Sequence, residues 1–517
     1  MENAKTRGDW MTGTNGHSIG HIPDSLPKGY DDLHELLGEL EQLELKMLEV
    51  VKSHQHIIGE LNEGQQSSCT NLLFYLALRS EDIRELQNRL HVSGLSSLAS
   101  SESHVYSQLN AIFQRLGRTI HPDEKLFYTY ENAVRDIRRK GQLLFGSKKE
   151  ITVPYIMVTL DSEYDEDYHE IRELLLAGMN VARINCAHDD ETIWASMIDH
   201  VHKASKETGL SCKIYMDLAG PKIRTIFHGK KAGKHKIEIK EGERVYLSDK
   251  NLEEEKKVVG CTITGIFRQL KEGERVLIDD GSIECKVDKM TADWAELIVL
   301  RVSRGKPFIK SEKGMNFPDS KLSLSSITDF DMECLPFICQ NADLVGYSFV
   351  RTAKDLERLQ NLLKDQVKRE LFIILKIETQ EAVKNLPALL IQGMREKAFG
   401  VMIARGDLAV EVGFERLSEI QEEILWICEA AHVPVIWATQ VLDMLNKSGL
   451  ATRSEITDAA YSGRAECVMI NKGEHTIEVI ETLNDILLRH GGHHIKKRYT
   501  FRPLNIAKFY LSSVREL

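Results

Sequence analysis

Apolar residues follow two different rhythms along the chain. In the first part they recur three and four positions apart, as in LHELLGELEQLELKMLEVV and LLFYLALRSEDIRELQNRL, which is the spacing of amphipathic helices. No strand-like alternation accompanies them. The pattern predicts an N-terminal helical domain over residues 28–148, with SSLASSES as an interior linker. We expect the leucine stripe to be core or a packing face, with no chemistry attached to it.

Short β-branched runs alternate with helical stretches in the second part of the chain. The runs are PYIMVTL, NVARINC, CKIYMDL, ADLVGYS, LFIILKI, FGVMIAR, VPVIWAT and ECVMIN. Eight buried strands, each followed by a helix, are typical of a (β/α)₈ TIM barrel. A doubly wound open sheet would alternate in the same way, but eight units without a glycine fingerprint favour the closed barrel. The prediction is an α/β barrel formed by residues 149–222 and 319–490.

A long interval separates the third and fourth of these runs. It contains HKIEIKEGERVYLSD, KKVVGCTITG, ERVLIDDGSIECKV and AELIVLRV, punctuated by Gly and Asp, and therefore reads as strands and turns. We predict a small β domain inserted in a barrel loop, residues 223–318. Residues 1–27 are expected to be a disordered tail, and residues 491–517 a short C-terminal tail.

Composition narrows the class of protein. The 517 residues include 67 Lys and Arg against 78 Asp and Glu, a net charge of −11, which argues against a nucleic-acid carrier. No segment approaches the roughly 18 apolar residues of a membrane helix, and the start lacks the apolar core of a secretory signal. Nine cysteines without a C-x-x-C pair suit reduced thiols. We therefore expect a cytoplasmic protein without a membrane or nucleic-acid partner.

Candidate chemistry lies where the predicted strands end, because barrel active sites form at the carboxyl ends of the strands. Glu378 and Asp407 could hold a hard divalent cation through oxygen. Lys376 and Arg183 could neutralise a phosphoryl group or an oxyanion. Buried ion pairs can also be purely structural, but convergence from five strand ends favours a site. The polar residues at these ends are Arg183, Asn185, Asp217, Lys222, Arg224, Lys376, Glu378, Arg405, Gly406, Asp407, Thr439 and Gln440.

Two other motifs are weaker candidates. GKKAGKH has the wrong spacing for a phosphate loop, and His235 stands where Ser or Thr is needed, so we interpret it as a solvated basic turn. His490, His493 and His494 have no carboxylate partner at a fixed spacing, and we expect them to belong to an exposed tail rather than to a metal site.

Several blocks resemble, in collinear order, those of the pyruvate kinase family. They are AGMNVARINCAH, MDLAGPKIRT, VLIDDG, KGMNFP, ILKIET, IARGDLAVEV, PVIWATQVLDML and ATRSEITDAA, and the resemblance runs from about Ile151 to Asn484. It implies transfer of phosphate from phosphoenolpyruvate to ADP, yielding pyruvate and ATP. The N-terminal helical block lies outside the resemblance. The family's C-terminal domain has no counterpart here, so control by that domain's sugar-phosphate effector is not expected.

The resemblance also implies a role for individual positions. Glu378 and Asp407 would bind Mg²⁺, with Mn²⁺ as an alternative, and Lys376 would stabilise the phosphoryl group and the enolate. Arg183 would contact the phosphate, Gly406 and Asp407 would offer backbone donors to the substrate, and Thr439 would lie near the methylene that is protonated. The implied nucleotide contacts are Asn185, Arg224 and Lys313, and Asp280 would come from the lid. A homo-oligomer is expected, and an assembly role for the helical block is a hypothesis from its position.

Three departures from the family pattern agree with one another. The family's monovalent-cation site uses side-chain oxygens where this chain has Ala187 and Leu218. Where many members carry glutamate, this chain has Lys222, and in the family a lysine there accompanies activity that needs no potassium. A tethered ammonium can take over the charge of the lost ion. The resemblance therefore implies that K⁺ is not required.

Other departures affect three loops around the barrel mouth. The first-strand turn is Thr159-Leu160-Asp161-Ser162, a usual lysine is Ala219, and MINKGEH replaces a serine-glycine-glutamate-threonine run. We expect their consequences for nucleotide binding and turnover rather than for the metal. Two alternatives remain beside the kinase: a non-catalytic phosphoenolpyruvate or nucleotide sensor, and a Mg²⁺-dependent lyase acting on a 2-oxo acid.

Overall fold

A computed structural model describes residues 30–118, 128–148 and 153–491, apart from residues 167, 229–235, 253–255, 365 and 367–368, together with a short strand pair at 494–495 and 498–499. The predicted tail over residues 1–27, the basic GKKAGKH segment and most of residues 491–517 lie outside this description. No helix in the described part of the chain is both long and apolar enough to cross a membrane.

The N-terminal part consists of helices. The helical run LLFYLALRSEDIRELQNRL is broken in the structure between Arg79 and Arg84, where the Asp82 carboxylate accepts a hydrogen bond from the Arg84 backbone N–H at 3.3 Å. The elements are α1 (Tyr30–Ser53), α2 (Gln55–Glu60), α3 (Glu63–Arg79), α4 (Arg84–Val92), a 3₁₀ turn (Glu102–His104), α5 (Val105–Arg115) and α6 (Tyr130–Phe145).

The barrel begins after these helices and is interrupted by the inserted domain. Its first part contains β1 (Tyr155–Leu160), α7 (Glu163–Glu166), α8 (Tyr168–Ala177), β2 (Val181–Asn185), α9 (Glu191–Thr208) and β3 (Lys213–Asp217). The inserted domain contains β4 (Thr225–Ile226), β5 (Lys236–Glu238), β6 (Arg244–Leu247), β7 (Val258–Cys261), a 3₁₀ turn (Ile266–Gln269), β8 (Arg275–Ile278), β9 (Ile283–Met290), β10 (Ala295–Val302), β11 (Phe308–Lys310) and β12 (Met315–Asn316).

The rest of the barrel follows the inserted domain. It contains α10 (Asp329–Asn341), β13 (Leu344–Tyr347), α11 (Ala353–Lys364), β14 (Phe372–Ile377), α12 (Gln380–Lys384), α13 (Leu386–Gly393), β15 (Gly400–Ala404), α14 (Arg405–Val412), α15 (Phe414–Ala430), β16 (Val435–Ala438), α16 (Asp443–Ser448), α17 (Arg453–Tyr461), a 3₁₀ turn (Ser462–Arg464), β17 (Cys467–Ile470) and α18 (Thr476–His490). A short antiparallel pair, β18 (His494–Ile495) and β19 (Arg498–Tyr499), comes last.

The eight predicted strands close into a parallel barrel. Their order around it is β1-β17-β16-β15-β14-β13-β3-β2, so β3 and β13 are neighbours although the inserted domain separates them in sequence. The strands are buried because one face packs inside the barrel and the other against the surrounding helices. The predicted (β/α)₈ fold class is confirmed.

The inserted domain has a core of its own. Seven strands form a sheet in the order β12-β8-β9-β10-β6-β7-β4, and β11 pairs with β5. Alternate residues of β9, among them Ile283, Cys285 and Val287, point into a separate apolar cluster. We call this unit the lid.

Helix α6 packs against the barrel end opposite the strands' carboxyl ends. Leu144 and Phe145, its last apolar residues, belong to the same buried cluster as inward-facing residues of the strands, such as Met157 and Met402. Gly400 begins β15, and a Cβ there would lie 3.2 Å from the Leu144 Cδ1. The end of α6 thus closes the floor of the barrel.

A second contact joins the helices to the barrel through polar groups. The Asn71 amide donates hydrogen bonds to the carbonyl oxygens of Glu102 at 2.7 Å and of Ala430 at 2.8 Å. Ser101, Glu102 and Ser103, within the segment interpreted as a linker, are buried here. One continuous apolar core extends from α1 to α18. The described residues of the helical block therefore pack as a layer on the barrel and share one apolar core with it.

Candidate functional site

A cleft of about 610 Å³ opens at the carboxyl ends of the barrel strands, below the lid. All but two of the candidate residues contribute to its lining, and one of these two, Asp217, is fully buried. The other is Lys313, whose ammonium pairs instead with the Asp279 carboxylate at 3.0 Å. The lining residues that the sequence had singled out are Arg183, Asn185, Ala187, Leu218, Ala219, Lys222, Arg224, Asp280, Lys376, Glu378, Arg405, Gly406, Asp407, Thr439 and Gln440.

Arg183 is held rigidly in this cleft by two neighbouring strands. Its Nε and Nη2 donate to the Asp217 Oδ2 at 2.7 and 2.6 Å, and its Nη1 donates to the Thr159 hydroxyl at 2.9 Å. Asp217 is fully buried and also accepts a hydrogen bond from the Tyr215 hydroxyl at 2.5 Å. Gly346 on β13 leaves the room for this group, since a Cβ there would overlap the Tyr215 and Asp217 oxygens.

Lys376 projects from the end of β14 into the same network. Its Nζ donates to the Ser348 hydroxyl at 2.7 Å and lies 3.2 Å from the Glu378 Oε1 and 3.5 Å from the Asp217 Oδ1. Burial alone would lower the pKa of Lys376, but these two carboxylates outweigh it, and the pKa lies above its usual value. Lys376 is therefore a fixed positive charge at the barrel mouth.

The carboxylates respond to this charge in different ways. Burial would raise the pKa of Asp217, but Lys376 and Arg183 hold that pKa below its usual value. Burial raises the pKa of Glu378, and the nearby charge of Asp407 raises it further against the opposing effect of Lys376. Glu378 and Asp407 are thus two like charges facing one cleft, an arrangement that a cation between them would relieve.

Asp407 follows β15 and lies in the first turn of α14. Both of its carboxylate oxygens lie 3.0 Å from the Lys222 Nζ. Lys222 comes from the segment that joins β3 to the lid, so this ion pair bridges the lid stem and the barrel. Ala187 and Leu218, the two departures that accompany Lys222, line the same cleft.

Thr439 lies on an unusual turn after β16. Thr439, Gln440 and Leu442 all have positive φ, at 74°, 57° and 51°, a conformation that residues other than glycine rarely adopt. Arg405 fastens the turn: its guanidinium donates to the Thr439 carbonyl at 2.6 Å and to the Asp458 carboxylate at 2.5 and 2.9 Å. The strained turn is therefore held by a cation of the cleft wall, as is common where function requires a fixed geometry.

Two loops that depart from the family pattern meet at the seam between β1 and β17. Lys472, from MINKGEH, forms an ion pair with Asp161, from the first-strand turn. This contact raises the pKa of Lys472. The two loops are thus joined by an ion pair at the rim of the barrel mouth.

Three contributors had no role assigned from sequence. Asp217 had been noted at a strand end but without a function, and Ser348 ends the fourth strand run, so the strand-end rule could have found both. Phe349, the next residue, donates its backbone N–H to the Glu378 Oε2 at 2.6 Å. A backbone donor leaves no sequence signal.

The donor set fits a hard divalent cation. Glu378 and Asp407 line one cleft and offer carboxylate oxygens, which Mg²⁺ prefers, while substrate and water can supply the remaining positions. Among the described residues there is no group of three or more His, Cys, Asp or Glu side chains arranged to hold a metal ion by themselves. A cation here would therefore depend on oxygen atoms beyond the side chains.

Fold and site together define a class: a (β/α)₈ barrel with a β domain inserted after the third strand and a mouth of paired cations and carboxylates suited to an anionic ligand. The chain belongs to the pyruvate kinase family, because the family model for the pyruvate kinase barrel domain matches residues 153–477. The predicted family membership is confirmed.

Individual relatives agree with the family model. The chain is 34% identical to a pyruvate kinase of Staphylococcus saprophyticus over 329 residues, 62% of this chain and 54% of the relative. It is 33% identical to one of Geobacillus stearothermophilus over 332 residues, 63% and 54%, and 32% identical to one of Bacillus licheniformis over 332 residues, 63% and 55%. The chain thus spans about half the length of the curated relatives it matches.

Proposed function

We propose that this protein is a pyruvate kinase, which transfers the phosphoryl group of phosphoenolpyruvate to ADP and yields pyruvate and ATP. The observation that carries the proposal is the buried Lys376, held between Asp217 and Glu378 and facing the same cleft as Arg183 and Asp407. Phosphoryl transfer depends mainly on positioning and on charge neutralisation. The family and its relatives named pyruvate kinase support the same activity.

The two fixed cations act on the transferring group. Arg183 contacts the phosphate of phosphoenolpyruvate, and Lys376 neutralises charge on the phosphoryl group and then on the enolate oxygen. Because Asp217 holds both side chains, they need little reorganisation during the reaction. Gly406 and Asp407, in the first turn of α14, offer backbone N–H groups to the substrate carboxylate.

The reaction breaks the bond between phosphorus and the enol oxygen and forms a bond to a terminal phosphate oxygen of ADP. The resulting enolate accepts a proton on its methylene carbon, which completes pyruvate. Thr439, fixed by the Arg405 contacts, lies at the cleft wall where it can orient the proton donor.

Glu378 and Asp407 would hold Mg²⁺, or Mn²⁺ in its place. When bound, this cation would supply charge neutralisation between the phosphates and the enolate oxygen.

Nucleotide contacts come from both sides of the cleft. Asn185 and Arg224 line it and are our candidates for the phosphates of ADP, with Asp280 on the lid side. Lys313 takes part only if its ammonium leaves Asp279, with which it pairs in the structure. Closure of the lid would exclude water from the reacting phosphoryl group.

Lys222 makes K⁺ unnecessary in this proposal. Its ammonium lies 3.0 Å from the Asp407 oxygens and lines the same cleft as Ala187 and Leu218, the positions that lack oxygen ligands for a monovalent cation. The charge that K⁺ would contribute is therefore tethered to the chain.

The test is pyruvate formation by purified protein from phosphoenolpyruvate, ADP and Mg²⁺, coupled to lactate dehydrogenase. Lys376→Met, which keeps side-chain length without charge, should lower kcat at least about 10³-fold, whereas Lys354→Met, at an exposed position, serves as the matched control. Equal rates in the two variants, or no pyruvate from the parent protein, would overturn the kinase proposal.

The K⁺ question needs a separate comparison. Rates are measured in K⁺ and in tetramethylammonium at equal ionic strength. We expect similar rates in both salts for the parent and a large loss in both for Lys222→Gln. Activity only in K⁺ would contradict the tethered-ammonium role while leaving the kinase assignment in place.

A further inference from the structure

The two chain segments that connect the lid to the barrel run side by side. The Thr225 N–H donates to the Lys313 carbonyl and the Met315 N–H to the Ile223 carbonyl, both at 2.8 Å. We call residues 222–226 and 313–317 the stem. Because its two strands are hydrogen-bonded to each other, the stem moves as one piece, and contacts from the stem to the barrel set the position of the whole lid.

Both strands of the stem are tied to helix α14. From the entering strand, Lys222 pairs with Asp407. From the leaving strand, the Asn316 amide donates a hydrogen bond of 3.0 Å to the Glu411 Oε1. Asp407 and Glu411 are four residues apart, so they lie on one face of the helix. The same helix therefore carries the proposed metal ligand and both attachments of the lid.

The Lys222–Asp407 ion pair and the Asn316–Glu411 hydrogen bond should respond differently when a ligand fills the cleft. Asp407 faces the cleft, and any ligand that engages its carboxylate competes with Lys222. Glu411 is not part of the cleft lining, and Asn316 is only 8% exposed. The Asn316 tie thus stays intact when the Lys222 tie is exchanged.

We propose that Glu411 is a positioning residue that sets the lid angle: its hydrogen bond with Asn316 is the pivot about which the lid turns relative to α14. Lys222 and Asp407 form the releasable latch on the same helix. When the lid opens or closes, the Lys222–Asp407 ion pair breaks or forms. The Asn316–Glu411 hydrogen bond stays intact and keeps the stem in register with Asp407. The consequence for turnover rests on the proposed function, whereas the pivot itself does not.

Two isosteric substitutions distinguish a hydrogen-bonding role of Glu411 from a role of its charge. Glu411→Gln and Glu411→Met both remove the ionisable carboxyl, whose pKa burial raises to about 7, at nearly the same length, but only Gln keeps an oxygen that can accept from Asn316. Hydrogen–deuterium exchange of the full chain without substrates reports on peptides that cover the stem and α14. We expect exchange there to rise about fivefold in Glu411→Met, the equivalent of one lost buried hydrogen bond, and to stay within about twofold of the parent in Glu411→Gln.

A second arm protects the test against misfolding. Asn316→Ala should show the same rise as Glu411→Met, and the double variant should show no more than either single change, because both remove one interaction. Additive effects, or the same exchange in the Gln and Met variants, would overturn the pivot. Glu357→Gln, on the exposed face of α11, is the control for charge removal elsewhere.

Kinetics add the functional consequence. kcat/KM for ADP should fall about fivefold in Glu411→Met and stay unchanged in Glu411→Gln. If the parent forms no pyruvate, the proposed kinase activity fails, but the exchange comparison still decides the pivot.

Discussion

A buried lysine between the N-terminal helices and the barrel should make folding stability depend on pH. Lys140, on α6, is 1% exposed. Its ammonium donates to the Gln65 side-chain oxygen at 2.7 Å, the Ser68 hydroxyl at 3.3 Å and the His432 carbonyl at 3.0 Å. These three acceptors are neutral, so they satisfy its hydrogen bonds without neutralising its charge. Burial lowers the pKa of Lys140 from 10.5 to about 7, with a small opposing effect of Asp136.

The sign and size of the effect follow from this pKa. Between about pH 7 and 10.5, the unfolded chain binds a proton at Lys140 that the folded chain does not bind. The free energy of unfolding therefore rises with pH across this window by about 1.4 kcal/mol per pH unit. Over the full window the gain is about 5 kcal/mol, and below pH 7 the folded protein bears the whole cost of burying the charge.

The assay is urea unfolding, followed by circular dichroism, of the parent and Lys140→Met at pH 6.5 and pH 9. The difference between the two proteins cancels all other titrating groups. It should shift by about 3 kcal/mol in favour of the parent between these pH values. Lys206→Met, at an exposed position of α9, is the matched control and should show no such shift. Parallel pH dependence in the parent and Lys140→Met would refute the reasoning.

Three further changes test the network and the barrel floor. Asp217→Asn removes the charge that holds Arg183 and Lys376, so kcat should fall about 10²-fold or more while circular dichroism stays native; a rate near that of the parent would contradict this role. Gly346→Ala places a methyl group against Asp217, so it should lower both activity and melting temperature, and an unchanged melting temperature would count against the close approach. Leu144→Ala should lower the free energy of unfolding in urea by about 2 to 5 kcal/mol, because Leu144 is fully buried in the floor of the barrel. A loss below about 1 kcal/mol, less than such cavities usually cost, would mean that the floor repacks around the smaller side chain.

The barrel was predictable because its strands leave a strong local signal. A parallel strand buried on both faces appears as a continuous β-branched run, and FIILKI and GVMIA are such runs. Strand ends converge by topology, so Arg183, Lys376 and Asp407 could be grouped into one cleft before any coordinates. The same rule applied to the fourth strand would have added Ser348.

Contacts between distant segments left no comparable signal. Leu144 lies at the end of the predicted helical domain, but helical periodicity could not show that it faces the barrel floor. Lys472 and Asp161 lie in loops that had each been noted as departures, yet only the structure shows that the two residues form an ion pair across the β1–β17 seam. The Asn316 hydrogen bond to Glu411 depends on how the lid sits on the barrel, and tertiary packing of this kind has no sequence period.

The charge pairs in the cleft explain how cations can be kept at the barrel mouth, as the proposed function requires. Burying Lys376 or Arg183 alone would be costly, and each is stabilised by Asp217. Asp217 is fully buried, with a pKa below its usual value, so it remains ionised and is not a ligand that a substrate could displace. The pairs of Lys222 with Asp407 and of Lys376 with Glu378 line the cleft, where a ligand could reach them. The site therefore combines one permanent carboxylate, which fixes the cations in place, with two carboxylates that, in the proposed function, leave their lysines when a cation and a phosphate arrive together.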